Sequence, residues 1–489
     1  VAAAAAPVVP APRPPLPREL PPGRPITLLY SANLHGEYES HPLGGLARRA
    51  GVVAALAAEL KAQKGGVLQL DAGDSLLPAM IPDPRDPPPD PAEIERRARL
   101  LAAALGRLRL DGFVPGETDL QLGPARVKAL LAGARVPIVL ANLVDAAGKP
   151  YFPPHRTLEV AGVKVGLFGV LGAGEQPLPA LEKAQLKLTE VQTAAQGAIS
   201  LLRDGGAQVV VGLCHLPGGM ADARALAAKL TGVDILVVGH DASAPEAQVS
   251  VPDEASGLVH LVSAGERGRY LGRLDLHVVD DGYGFVDPRT ATPAPGAAPT
   301  NWLDNGILRL NESFVSEPGM LALLAPYVKE TRRRIERKLP VGLTARAGTH
   351  GELADGTKEQ WNYATTAACA MCHPMARDQF NTTSHAFALA TLERKGRQRD
   401  PYCLGCHSTG FDVPGGTRNL QTVNQYFGAT GCESCHGPSA THVRAQNKTG
   451  TRRQVPASVC LGCHRSEHSP EPFDVVAAMK EILGPGHGQ

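Results

Sequence analysis

Four Cys-x-x-Cys-His pentapeptides fall in the last quarter of the chain: Cys369-Ala-Met-Cys372-His373, Cys403-Leu-Gly-Cys406-His407, Cys432-Glu-Ser-Cys435-His436 and Cys460-Leu-Gly-Cys463-His464. Two thiols three residues apart, followed at once by an imidazole, form the attachment pattern of haem c. The thiols make two thioethers to one porphyrin and the His binds its iron. Structural zinc also uses Cys-x-x-Cys pairs, but gives no reason for a His after every second Cys. Disulfide-forming pairs need no His either. The motif starts are 34, 29 and 28 residues apart (403−369, 432−403, 460−432), too uneven for a solenoid array. Four haems between Cys369 and His464 predict electron-transfer chemistry, because so short a segment cannot bury a large apolar core of its own.

The opposite face of each iron decides what the haem does. A second His makes a low-spin electron carrier, whereas an open face lets a small molecule bind and be reduced. Five further histidines are available: His350, His385, His442, His468 and His487. Five candidates for four positions favour two His per iron throughout. His350 and His487 lie at the margins, in Gly-rich sequence. Met371 sits inside a motif and Met375 is too near one to reach over the ring. Of nine cysteines, eight lie in the motifs, so disulfides cannot be the framework. The ninth, Cys214, reads as a buried strand-end thiol rather than a ligand.

The 489 residues suffice for two or three domains, and 43% apolar content supports a folded core. A net charge of +1 gives no electrostatic case for nucleic acid. Haem attachment takes place on the outer side of the cytoplasmic membrane, so a periplasmic or extracellular location is expected. The start at Val1 without a Met is what a mature exported chain would show. Val1 to Pro10 has only a short Ala run and no basic start, and no segment offers the ~20 apolar residues of a membrane span. A lipid anchor upstream of Val1 stays open. The partners expected are redox donor and acceptor proteins or extracellular acceptors.

Residues 1–25 are Ala/Pro-rich and read as an extended tether. Short apolar runs at Ile26–Tyr30, Val67–Leu70, Pro137–Leu140, Val163–Val170, Gln208–Leu213 and Asp234–Val238 predict buried strands. Ala/Leu-rich stretches at 46–62, 92–107, 124–133, 189–203 and 219–230 predict helices between them. This alternation indicates an α/β domain over 26–290. Leu258–Ala264 and Tyr270–Val279 look like antiparallel strands closing it. Residues 291–340 are expected to be a linker and connecting helices, with Thr292–Thr300 as the linker and 302–338 helical. Strand signals fade beyond Pro340, so 341–489 should be helices and loops wrapped round cofactors.

The surroundings of the motifs resemble the tetrahaem cytochrome c-554 family over about residues 360–488. The resemblance rests on Thr383-Ser-His385-Ala-Phe-Ala-Leu, Asp400-Pro-Tyr-Cys403, Cys432-Glu-Ser-Cys435-His436-Gly-Pro438, His442-Val443 and His468-Ser-Pro. It implies closely packed haems passing electrons between periplasmic partners. It makes His385, His442 and His468 the strongest distal ligands, with His487 fourth. Members with one open haem also exist, which keeps a multihaem oxidoreductase acting on a small molecule in view.

In the amino-terminal domain, polar residues gather at predicted strand ends: Ser31-Ala-Asn33-Leu-His35-Gly36, Asp71-Ala-Gly-Asp74, Cys214-His215 and Gly239-His240-Asp241. That is where open α/β sheets place sites, and His with Asp suits a transition metal. Satisfied loop polar groups are the plainer reading. Residues 26–280 resemble the calcineurin-like metallophosphoesterase domain of periplasmic 5′-nucleotidases. This implies a four-layer αββα sandwich joined to a mainly α, loop-rich multihaem cytochrome domain. The chain departs from that family's pattern: Asn33 replaces an Asp, Gly116-Glu117-Thr118-Asp119 replaces Gly-Asn-His-Asp/Glu, and Ala242 replaces a His. By the resemblance one metal position loses two of four ligands. The other would be Asp74, Glu117, His215 and His240, so at most one divalent metal is expected. Thr118 cannot supply the imidazole expected beside a leaving group, and hydrolysis is expected to be lost. A metal-dependent phosphohydrolase coupled to the cytochrome is the competing reading. The turn Gly44-Gly45 before Arg48-Arg49 is read either as an anion site at a helix start or as an ordinary turn and solvated helix. In related exported proteins this loop carries a redox thiol or selenol; here it holds Ser40 and His41.

Overall fold

The computed structural model describes residues 23–38, 44–78, 91–174, 178–240, 245, 248–253, 257–279, 284–287, 301–311, 313–338, 343–345, 350–353, 358–413, 415–446, 450–464 and 473–483. The chain divides into two compact units, Val1–Leu324 and Ala325–Gln489. The elements of the first are, in chain order, β1 (Arg24–Ser31), α1 (Leu46–Ala62), β2 (Gly66–Asp71), α2 (Pro91–Leu108), β3 (Gly112–Phe113), α3 (Glu117–Leu120), α4 (Pro124–Gly133), β4 (Leu143–Val144), β5 (His155–Val160) and β6 (Val163–Leu171). Then follow α5 (Pro179–Lys183), β7 (Lys187–Leu188), α6 (Val191–Asp204), β8 (Val209–His215), α7 (Gly219–Ala227), β9 (Ile235–Gly239), β10 (Val249–Pro252), β11 (Leu258–Val262), β12 (Tyr270–Val278) and β13 (Trp302–Arg309).

Two sheets result, ordered β13-β12-β1-β2-β3 and β10-β11-β9-β8-β6-β5. β1, β2 and β3 run parallel, as do β6, β8, β9 and β11. These central strands are buried on both faces, hence the uninterrupted apolar runs in their sequence. The sheets face each other: a Cβ on Gly112 of the first would touch Leu167 and Leu213 of the second. Helices cover the outer faces. α6 turns Ala195, Ala198, Ile199 and Leu202 inward at helical spacing and α7 adds Met220, Ala223, Leu226 and Ala227. On the first sheet, Val52 and Leu56 of α1 pack on Leu29 and Leu271. α6 starts at Glu190, whose carboxylate accepts from Gln192 N at 2.8 Å and Thr193 N at 2.6 Å. The expected sandwich of helix, sheet, sheet and helix is therefore present.

Several expectations need correction. Pro137–Leu140 is no strand: it makes one bridge, Ile138 to Phe113, because its N–H groups serve different neighbours rather than one ladder. Leu258–Val262 and Tyr270–Val278 do not pair with each other. The first lies beside β9 in the second sheet and the second beside β1 in the first. Trp302–Arg309, expected to be helix beyond a linker, is the edge strand of the first sheet, with the Trp302 ring stacked 3.8 Å from His277 across the pairing. The helix α8 (Pro318–Lys338) starts only later. Beyond Pro340 a small sheet forms from β14 (Leu343–Ala345), β15 (His350–Leu353) and β16 (Lys358–Gln360). Thr292–Thr300 and the tether up to residue 22 lie outside the described residues.

The second unit continues with α9 (Thr366–Ala370), α10 (Pro374–Asn381), α11 (Ala388–Arg394), α12 (Pro401–His407), α13 (Leu420–Thr422), α14 (Cys432–His436), α15 (Ala440–Ala445), α16 (Ala457–Cys463) and α17 (Val475–Leu483). Its helices are short and its protein cores small: Leu389, Leu392, Leu404, Phe411 and Val423 form one, and Trp361, Tyr363 and Phe427 another. Among the described residues no helix is long and apolar enough to cross a membrane.

Candidate functional site

Each Cys-x-x-Cys-His motif is wound as one helical turn, in α9 and its cap, α12, α14 and α16. Positions i, i+3 and i+4 then share a face, so both sulfurs and the imidazole can address one ring. Among the described residues no disulfide joins the motif cysteines. The Cys369 and Cys432 thiols interact, which raises the first and lowers the second. Two imidazoles from elsewhere meet motif imidazoles. The His442 ring lies 6.4 Å from that of His373 at an interplanar angle of 26°. The His385 ring lies 5.8 Å from that of His464 at 72°. Burial lowers both His385 and His464, which keeps them neutral and able to bind a metal. Two other motif imidazoles have their far nitrogen engaged: His407 Nδ1 lies 2.9 Å from Ala388 O, and His436 Nδ1 lies 2.6 Å from Arg452 O. A donated Nδ1–H leaves Nε2 as the ligand atom and fixes the ring's orientation. Neither carbonyl was legible in the sequence, because a backbone acceptor has no residue-type signature. His350 sits on β15 opposite Gln360. His468 and His487 lie outside the described residues.

In the first unit the sequence-predicted residues converge at the carboxyl ends of parallel strands. His215 ends β8 and is fully buried; it donates from Nδ1 to Ala72 O at 2.7 Å. Its Nε2 lies 2.8 Å from Glu117 Oε2, off the line of a hydrogen bond, and 3.6 Å from Asp74 Oδ2. His240 Nε2 lies 2.8 Å from Glu117 Oε1. Glu117, His215 and His240 thus present three ligand atoms within 4.8 Å of one another. Asn33 accepts from His240 N at 3.0 Å, while its Nδ2 and the Nδ1 of His35 are buried without partners. Asn33, His35, Asp74 and His240 all hold φ between 48° and 59°, a left-handed conformation that costs non-glycine residues energy and clusters at functional sites. Gly116 is forced by crowding, since a Cβ there would lie 2.1 Å from Asp74 Oδ1. Ala242, Ser40 and His41 lie outside the described residues.

Electrostatics fit a cation in this cluster. Burial pushes Glu117 up, but the close contacts of His215 and His240 with its carboxylate outweigh it and hold the carboxyl well below its usual range. For His215, burial works downward and the Asp74 and Glu117 carboxylates outweigh it, raising the imidazole. Because Nδ1 of His215 is donated to Ala72 O, its Nε2 faces the Glu117 carboxylate with a bare lone pair unless a proton or a metal ion lies between them. Asp119, whose role the sequence did not reveal, is fully buried. It accepts N–H bonds from Asp74 (2.9 Å), Ser75 (3.0 Å), Leu76 (2.8 Å) and Gly116 (3.1 Å), which locks the Asp74 loop to that of Glu117. Burial, with Asp74 alongside, pushes its carboxyl up to about 8. Arg49 is neither a solvated residue nor an anion ligand: it is buried against Ser31 Oγ (2.7 Å) and Asp71. Cys214 is fully buried and its thiol is raised by burial to about 12, as a structural residue requires.

Residues 368–437 match the family model of cytochrome c554 and c-prime. The carboxy-terminal segment is cytochrome c554-like. Over 97 residues the chain is 29% identical to cytochrome c-554 of Nitrosomonas europaea, covering 17% of this chain and 41% of that protein. Over 287 residues it is 26% identical to snake venom 5′-nucleotidase of Crotalus adamanteus, covering 53% of this chain and 46% of that protein. The crystal structure of a 5′-nucleotidase precursor from Thermus thermophilus overlaps 65% of this chain and 60% of its own at 21% identity, with a TM-score of 0.49. The chain spans about half the length of the curated relatives it matches. By its sequence match to the snake venom enzyme, the amino-terminal region is 5′-nucleotidase-like.

The cytochrome match implies haem c, and the residues present suit it. Two metal–imidazole bonds of about 2 Å each, plus half a ring on either side, separate facing ring centres by about 6 Å. The His373–His442 and His385–His464 pairs sit at that spacing.

Proposed function

We propose that this chain is a periplasmic or extracellular electron-transfer protein that relays electrons through four covalently attached haems. The observation that carries the reading is the pairing of two motif imidazoles, His373 and His464, each with an imidazole from outside the motifs at the spacing of two ligands across one iron. Haem c supplies reversible one-electron iron chemistry. The protein's part is to anchor the sulfurs on single helical turns, hold ligand imidazoles neutral by burial and fix their tautomers with the carbonyls of Ala388 and Arg452. Redox donor and acceptor proteins, or extracellular acceptors, are the partners this chemistry calls for. The test is a mass and pyridine haemochromogen count on the purified holoprotein, joined to low-temperature EPR. Four covalent haems with low-spin ferric signals are expected. A colourless protein would overturn the reading, and one dominated by a high-spin, ligand-binding haem would replace relay with catalysis on a small molecule.

A second reading applies to the first unit. We infer that Asp74, Glu117, His215 and His240 hold one divalent metal. The three-residue cluster and the off-line contact of His215 Nε2 favour it. A divalent ion there supplies Lewis acidity, while Thr118 stands where hydrolysis needs an imidazole. Calorimetric titration with zinc or manganese is expected to show one equivalent, with no turnover of a generic phosphodiester. Turnover that disappears in Asp74→Ala would restore the phosphohydrolase.

A further inference from the structure

Glu433 occupies the second position of the third motif, a position the attachment chemistry does not use. It is 3% exposed. Its carboxylate accepts backbone N–H bonds from Ala364 (2.7 Å), Thr365 (3.0 Å) and Ser439 (2.8 Å). Ser439 belongs to the turn that follows the third motif. Ala364 and Thr365 lead directly into α9, which carries Cys369 of the first motif. One side chain therefore joins two attachment segments that are far apart in sequence.

The join is under tension. Thr365 holds φ at 115° and ψ at 149°, a region that a β-branched residue avoids. Such a conformation persists only where its surroundings over-determine it. Here the Thr365 N–H is held by Glu433, and the Thr365 hydroxyl accepts from Ala368 N at 3.2 Å to start α9. Beside this join the Cys369 and Cys432 thiols touch, so the sulfurs anchoring the first and third haems are neighbours. All three partners donate to the Glu433 carboxylate, so its charge meets N–H dipoles. Burial and then that charge raise the nearby Tyr363 phenol.

We propose that Glu433 is a positioning residue that fixes the first and third attachment motifs relative to each other and places its carboxylate between them, holding the potentials of those two haems down. Negative charge favours the oxidised, more positive iron, and low local dielectric strengthens the effect. The inference rests on the four-haem reading, so haem is counted first. A parent protein that carries no covalent haem refutes that reading, whereas a fully loaded parent leaves Glu433 to be judged alone.

The experiment is a spectroelectrochemical titration of holoprotein from the parent, Glu433→Gln and Glu433→Asp. In Glu433→Gln two of the four waves are expected to rise, each by about a tenfold change in equilibrium constant, or about 59 mV for one electron, while the other two stay. Glu433→Asp keeps the charge and should leave the waves closer to the parent. Four superimposable waves in Glu433→Gln overturn the proposal, as does an equal shift of all four. If Glu433→Gln fails to load haem, Thr365→Gly serves as the background, because glycine takes φ of 115° without strain. The double variant is then compared with Thr365→Gly by the same two-wave criterion.

Discussion

Replacing Arg49 by Met tests how the amino-terminal site is held. Arg49 and Asp71 are both fully buried, with Nη1 3.8 Å from Asp71 Oδ2 and 2.7 Å from Ser31 Oγ. Asp71 in turn accepts from Ser31 Oγ (2.5 Å), Ser75 Oγ (2.8 Å) and Gly73 N (3.1 Å), so it sets the turn that presents Asp74. Removing one partner of a buried pair leaves the other charge uncompensated, at a cost of about 3–5 kcal/mol. At roughly 2–4 °C per kcal/mol for a large domain, the first unit should melt about 10 °C lower. Asp71→Asn in the same chain removes the stranded charge and should recover most of the loss, with a coupling energy of about 2–3 kcal/mol. The pH dependence follows from burial, which raises Asp71 against the pull of Arg49. A raised folded pKa contributes stability below the unfolded value of 3.8 and loses it as pH rises through the folded value. The Arg49→Met deficit, where that raise is larger, should therefore be smallest in acid and grow towards neutrality. Thermal unfolding followed by far-UV circular dichroism reads all of this. Strictly additive single and double variants, or a pH-independent deficit, would refute the reasoning.

Three further outcomes are expected. Glu117→Gln should weaken divalent metal binding by at least tenfold, about 1.4 kcal/mol, because it removes the carboxylate that faces both His215 and His240; calorimetric titration measures this, and unchanged affinity would place the ion elsewhere. His442→Gly should convert one low-spin haem to high spin in low-temperature EPR, and His385→Gly a different one. The two low-spin signals should also differ in shape, since the imidazole planes cross at 26° in one pair and 72° in the other. Glu317, held down to about 2 by Arg107 and by the N–H groups of Gly319 and Met320, has a depressed folded pKa; its contribution is present above the unfolded value near 4.5 and lost as pH falls towards about 2. Arg107→Ala should narrow the gap in urea midpoint between neutral and acidic solution, and no change would mean that the pair contributes nothing.

Much of the local structure was legible. The helices at 46–62 and 124–133 form over the residues expected, because their apolar spacing alone selects the buried face. The central strands were visible as continuous apolar runs, since a strand covered on both faces has no polar side. Edge structure was not. Trp302–Arg309 has a mixed pattern that reads as a strand only once Tyr270–Val278 lies beside it. Leu258–Val262 and Tyr270–Val278 are neighbours in sequence yet join different sheets, the first lying parallel beside β9 and the second antiparallel beside β1, a choice made by strands far away in the chain.

Spacing alone made haem attachment the expected chemistry at the carboxyl end, because the Cys-x-x-Cys-His pattern is written within five consecutive residues and the structure winds each as a helical turn. The same holds for the strand-end location of Asn33, His35, Asp74, His215 and His240. Which imidazole meets which, and which carboxylate ties two motifs together, depended on chain segments up to 79 residues apart, as for His385 and His464. Pairings of that kind carry no local signature. They arise when buried polar groups find partners during packing, which only the folded chain determines.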